Sequence, residues 1–201
     1  EGSLEAAVLA PEAPLEELYG RRERGGTALH SAAERGHVGV ARRLMDHPKF
    51  RRHNGKDDAG ETALHVAVHQ GHGEVARLIA DHKRFTEANN KNTDGNTALH
   101  IAVFMGRHDI FEALMEHDRF FAHDKKCGTG GTALHAAAQT GRCQMLRTLL
   151  EHPRFTEVNA KNNDGNTSLH LAAGMGHAEV VRILLEHPRF TEVEAQNREG
   201  G

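Results

Sequence analysis

Tryptophan is absent from the 201 residues, tyrosine occurs once, and aromatic residues make up 4% of the chain. A domain built around one central core usually needs more large side chains than this. The 38% of apolar residues therefore suits a chain in which each small unit buries its apolar face against its neighbours. Cysteine is nearly absent too. Cys127 and Cys143 are too few for a disulfide framework and fit a reducing compartment. No apolar run approaches the ~20 residues that cross a bilayer, so membrane insertion is not expected. A strong charge of one sign is also lacking. The formal net charge of −3 does not by itself nominate nucleic acid or a membrane surface as partner. The chain opens at Glu1 with no signal-like segment, and an intracellular, cytoplasmic setting is the expectation.

What is present is periodicity. Thr-Ala-Leu-His occurs at Thr27–His30, Thr62–His65, Thr97–His100 and Thr132–His135, and Thr-Ser-Leu-His at Thr167–His170, with a step of 35 residues each time. Gly36, Gly71, Gly106, Gly141 and Gly176 keep the same step, as do His47, His82, His117, His152 and His187. So do Phe50, Phe85, Phe120, Phe155 and Phe190. Four markers in one register, five times over, indicate a solenoid of stacked units.

Each unit reads as two short helices. Threonine caps the first, its hydroxyl accepting from a backbone N–H one turn on. Leu29, Leu64, Leu99, Leu134 and Leu169 then point into the stack. Small residues such as Ala32 and Ala33 let helices approach, and the glycine suits a left-handed stop. The next segment, Val180-Val181-Arg182-Ile183-Leu184-Leu185 for example, spaces apolar residues for a second, outer helix. Pro48, Pro153 and Pro188 lie just past its end. Turn chemistry such as Asn163-Asp164-Gly165-Asn166 closes the unit as a projecting finger. Arg107, between two helices, reads as a surface position.

At Asp-Gly-Asn-Thr-Ala-Leu-His-Ile-Ala (94–102), Glu-Val-Asn-Ala-Lys (157–161) and Gly-His-Ala-Glu-Val-Val-Arg-Ile-Leu-Leu (176–185) the chain resembles the ankyrin repeat family. The resemblance implies an all-α repeat solenoid of stacked helix-turn-helix units with hairpin-like fingers. Residues 1–201 read as a single domain: a degenerate half-repeat cap at 1–21, then repeats 22–56, 57–91, 92–126, 127–161 and 162–196. Residues 197–201 read as the start of a further finger. An outer helix of the cap is expected near Leu4–Ala10. Two departures stand out. Alanine replaces the family's proline after the threonine, and the period exceeds the familiar ~33 residues. The two extra residues fall in the His-Pro-Arg-Phe-Thr loop, where the repeated Phe reads as a plug. Asn159, with Asn54 and Asn89 in the same register, resembles the finger-base asparagine that is hydroxylated in animal members of the family.

Seventeen histidines invite a metal or acid–base reading. Thirteen are placed by the repeat: five in the Thr-x-Leu-His motif, His37, His72 and His177 after the glycine, and five at outer-helix ends. The first set reads as structural, tying caps to neighbouring backbone, and the last as donor or cationic side chains at a helix C-terminus. No close pair has zinc-site spacing. Gly128-Thr129-Gly130-Gly131 lacks the Lys-Ser/Thr of a phosphate loop and aligns with the fingers, and neither cysteine has a Cys-x-x-Cys partner. No nucleophile elbow or kinase signature is present. The expectation is therefore no enzyme, no cofactor and no metal.

Function should collect where the repeats differ. Ends of the inner helices and fingertips line the concave face that the resemblance implies. They nominate Arg35, His69, Gln70, Asp94, Phe104, Met105, Gln139, Thr140 and Met175 as protein-binding residues, with Phe104 and Met105 as apolar anchors. A basic patch is nominated at Arg22, Arg24, Arg42, Arg43, Arg51 and Arg52, since Arg21–Lys56 holds ten Lys/Arg against three acids. Without interleaved aromatics, nucleic acid is disfavoured. The expected function is a protein–protein interaction module, monomeric alone or part of a hetero-complex. The alternative is a structural or docking subunit held through its basic N-terminal repeat or outer face.

Overall fold

The computed structural model describes residues 25–120 and 123–200. The expected cap helix near Leu4–Ala10, and Arg22 and Arg24 of the nominated basic patch, lie outside the described residues. Ten helices occur among those that are described: α1 (Ala28–Arg35), α2 (Val38–Asp46), α3 (Ala63–Gln70), α4 (Gly73–Asp81), α5 (Ala98–Met105), α6 (His108–Glu116), α7 (Ala133–Gln139), α8 (Cys143–Glu151), α9 (Ser168–Gly174) and α10 (Ala178–Glu186). Odd-numbered helices are the inner ones and even-numbered helices the outer ones. Extended pairing among the described residues is confined to one bridge, Lys56 with Thr62.

The chain divides into two compact units, Glu1–Thr93 and Asp94–Gly201. In the first, α1 packs on α3 and α2 on α4, while α2 and α4 fold back on α1 and α3. In the second, α5, α7 and α9 stack in order, with α6, α8 and α10 behind them. The core of each unit is a row of the same residues in successive repeats. Leu29 and Leu64 are buried in the first unit, Leu99 and Leu134 in the second, and Leu169 is half-buried. Phe50, Phe85, Phe120, Phe155 and Phe190 are all buried under the loops that follow the outer helices. Each such ring contributes about 1.5–3 kcal/mol by apolar burial.

The inner-helix start is a reciprocal cap. Threonine Oγ1 lies 2.8–2.9 Å from Nδ1 of the histidine three residues on in all five motifs. The threonine N–H also donates to that Nδ1 in four of them, at 3.1–3.3 Å. A ring nitrogen that accepts a backbone N–H carries no proton, so the proton sits on Nε2. That Nε2 donates across to the following repeat at His30, to the Glu61 carbonyl at 2.9 Å, and at His135, to the Asn166 carbonyl at 3.1 Å, while His65 donates to the Asn90 carbonyl at the end of its own repeat, at 3.1 Å. One side chain thus starts a helix and ties it to its neighbour.

The inner helix stops at a left-handed glycine. Gly36 has φ 70°, and a Cβ there would sit 2.6 Å from the His72 Nδ1 of the next repeat. Conformation and close approach both demand the missing side chain. Outer helices end at histidine in extended conformation. These histidines have a further role beside the expected one of donor or cation at a helix end, and His82 does face an acid, its Nε2 3.3 Å from Asp46 Oδ1. In each, Nδ1 accepts the N–H two residues on, at 3.1–3.3 Å, and closes the turn into the Phe loop.

Fingers join in a ladder. Within the first unit the Thr93 N–H donates to the Ala59 carbonyl at 2.9 Å. Within the second, Gly128 donates to Asp94 at 2.9 Å, Asn163 to Thr129 at 2.9 Å and Arg198 to Asp164 at 3.0 Å.

Candidate functional site

Because a glycine ends every inner helix, the last turn of that helix is the place where a repeat departs from its neighbours without disturbing the stack. In the first unit this turn carries Glu34 and Arg35 on α1 and His69 and Gln70 on α3, all exposed. They line an open cleft of about 830 Å³ together with the finger residues Asp57, Ala59 and Glu61. The Asp57 carboxylate is held by the N–H groups of Ala59 and Glu61, at 3.0 and 2.8 Å, so the finger tip is a rigid wall. His30 forms part of the floor. Burial pushes its pKa below the ordinary value, while the hydrogen bond to Glu61 acts in the opposite direction. The lining is rich in acidic side chains, Glu34, Asp57 and Glu61, with Arg35 its one arginine. Arg35, His69 and Gln70, nominated from the sequence, are brought together; Glu61 was missed.

In the second unit the same register carries Phe104 and Met105 on α5, Gln139 and Thr140 at the end of α7, and Met175 after α9. Phe104 and Met175 are each 55% exposed and Met105 36%. Phe104 is therefore not a core ring. Gln139 is exposed, whereas Thr140 is half-buried with its hydroxyl donating to the Ala136 carbonyl at 2.7 Å. Asp94 is exposed at a finger tip, its carbonyl taken by Gly128.

The outer side differs between repeats. Arg42, Arg43, Arg51 and Arg52 are all exposed. Arg51-Arg52 occupies the place of Thr86-Glu87, Thr156-Glu157 and Thr191-Glu192. In those repeats the threonine N–H donates to a finger-base side chain of the preceding repeat: Thr86 to Asn54 at 2.9 Å, Thr156 to Asp124 at 2.7 Å, Thr191 to Asn159 at 2.8 Å. The finger-base Asn and Asp thus have a structural role. Among the described residues no group of three or more His, Cys, Asp or Glu is arranged to hold a metal.

A family model described as ankyrin repeats (3 copies) matches residues 12–88, 52–124 and 119–197. The chain belongs to the ankyrin-repeat family. No curated protein matches it. Ankyrin repeats serve generally as protein–protein interaction modules. No helix among the described residues is long and apolar enough to cross a membrane. Two features of this ankyrin array escaped sequence reasoning. One is the acidic wall that Asp57 and Glu61 give the first cleft. The other is a pair of stacked imidazoles in each unit, signalled by His53 and His123 standing where other repeats carry Ala88, Val158 and Val193.

Proposed function

We propose that this ankyrin array is a non-catalytic adaptor that captures a protein partner on its inner-helix ends and finger tips. The observation that carries the reading is the exposure of Phe104, a large apolar ring at a register where other repeats hold Glu34, His69, Gln139 and Gly174. Packing within the array does not require it, since residues so different serve the same place. An exposed aromatic beside Met105 has the make-up of an interface anchor. A photo-crosslinker placed at 105 captures the partner from native extract, and the captured protein is then titrated against variants. Phe104→Ala weakens binding by at least about tenfold with an unchanged melting curve. Arg52→Ala changes it far less. Unfolding of Phe104→Ala, or an unchanged Kd, removes the reading.

A second reading is a permanent subunit docked through the basic outer edge of the first unit. It is favoured by the pairing pattern of the cations. In the second unit Lys126 pairs with Glu157 at 3.3 Å, Arg147 with Glu179 at 3.2 Å, Arg154 with Asp118 at 3.9 Å and Lys161 with Glu192 at 3.7 Å. Arg42, Arg43, Arg51 and Arg52 have no acidic partner among the described residues. If Arg52→Ala is the damaging variant above, this edge is the working surface.

A further inference from the structure

Two repeats carry histidine at a register that is otherwise apolar. Ala88 and Val158 are buried there, and so are His53, 6% exposed, and His123, 3% exposed. Each buried ring stacks on the histidine that ends the outer helix of the next repeat. His53 lies over His82 with centroids 5.8 Å apart and planes 4° from parallel. His123 lies over His152 at 4.5 Å and 20°. The first pair lies wholly within the first unit and the second wholly within the second.

The surroundings of both pairs are poorly fitted to two positive charges. In the first pair His82 Nδ1 accepts the Arg84 N–H, so its Nε2 faces Asp46 Oδ1 at 3.3 Å, an acid that suits one proton on the pair. His53 Nε2 is directed at the Met45 carbonyl at 3.1 Å, and its ring edge meets Phe50 at 5.0 Å. The other charged groups facing His53 are Arg51 on its own loop and Arg84 on the next, both repulsive to a cation. In the second pair both rings lie against the Met115 carbonyl, and His123 Nε2 reaches no hydrogen bond of ordinary geometry. Arg154 opposes protonation of either ring. Asp124 favours it at His123, but its oxygens already accept from Thr156 and Glu157.

We propose that the two stacked histidine pairs are acid-sensitive couplings between neighbouring repeats, holding the Phe loops together near neutral pH and loosening them as the surroundings acidify. Neutral imidazoles stack as flat, half-apolar plates and fill the register as Ala88 and Val158 do elsewhere. A second proton on a pair sets two like charges face to face in a partly dry place, where repulsion is poorly screened. The directions agree with this. Burial, then neighbouring positive groups, holds His53, His123 and His152 below the ordinary histidine value. Above about pH 6.5 folded and unfolded chains are both neutral at these rings and nothing is lost. As pH falls below that value the unfolded chain takes up protons that the folded pairs resist, and stability is lost progressively.

The chain's own repeats supply the test variant, His53→Ala with His123→Val. Melting curves of wild type and the double variant are recorded at pH 7.5 and 5.5. The wild-type Tm should fall further between the two than that of the variant, by roughly 3 °C or more. The buried cap histidines are common to both proteins and cancel in the difference. Equal falls overturn the proposal. Ring-proton NMR of the wild-type protein gives a reading independent of the variant's folding. Titration of His53 and His123 with midpoints below that of a free histidine is expected, and ordinary midpoints overturn the proposal.

Discussion

The motif histidines show how much one side chain can settle. Nδ1 takes the cap N–H and Nε2 spans to the next repeat, as His135 does between Thr132 and the Asn166 carbonyl. Both bonds need the neutral ring with its proton on Nε2, and burial holds His30 and His135 below the ordinary value. Their contribution is accordingly full above about pH 6.5 and declines as pH falls. His135→Ala leaves the Thr132 N–H and the Asn166 carbonyl unmatched, and should cost ~1–3 kcal/mol in urea unfolding at pH 7.5. A loss within error of zero would show that water replaces both bonds. At this scale the sequence was legible wherever a residue type has one structural use at one register, as with the buried Phe loop residues. Residues that work through a neighbouring repeat were not. Arg107 reads as surface yet is half-buried with Nε shielded from solvent. His53 reads as one histidine among many until its partner 29 residues away lies over it.

Helices and fingers were legible as elements because their punctuation repeats. Thr starts each inner helix, Gly ends it, and the loop Phe closes the unit. The finger ladder was not, because it depends on how closely neighbouring backbones approach. Gly128 makes the point. Its N–H donates to the Asp94 carbonyl, and a Cβ there would stand 2.4 Å from that same oxygen. Backbone cannot swing aside as a side chain can, so Gly128→Ala forces two fingers apart and should cost about 1–3 kcal/mol. Gly39, within α2, has open space around a built Cβ. Gly39→Ala removes backbone freedom from the unfolded chain and should be neutral or stabilising by up to about 1 kcal/mol. Chemical denaturation of the two variants side by side checks the pair. A Gly128→Ala variant as stable as the wild type would show that the finger contact does not limit stability.

Across the whole molecule, stability belongs to interfaces between neighbours, because within each unit the inner helices pack on one another and each on its own outer helix. A lesion in such an array is felt by adjacent repeats and fades with distance, unlike a lesion in a single core. Leu134 on α7 is fully buried, and α7 packs on α5, α8 and α9. Leu134→Ala should therefore cost ~2–5 kcal/mol and redistribute protection unevenly. Amide exchange should rise most in α7 and α8, less in α5 and α9, and least in α1 and α2, which belong to the other compact unit. The experiment is hydrogen exchange by mass spectrometry on wild type and variant under native conditions. A uniform rise from α1 to α10 would mean that the chain opens as one cooperative body, and nearest-neighbour coupling would then have no part in how this array holds its surface residues in place.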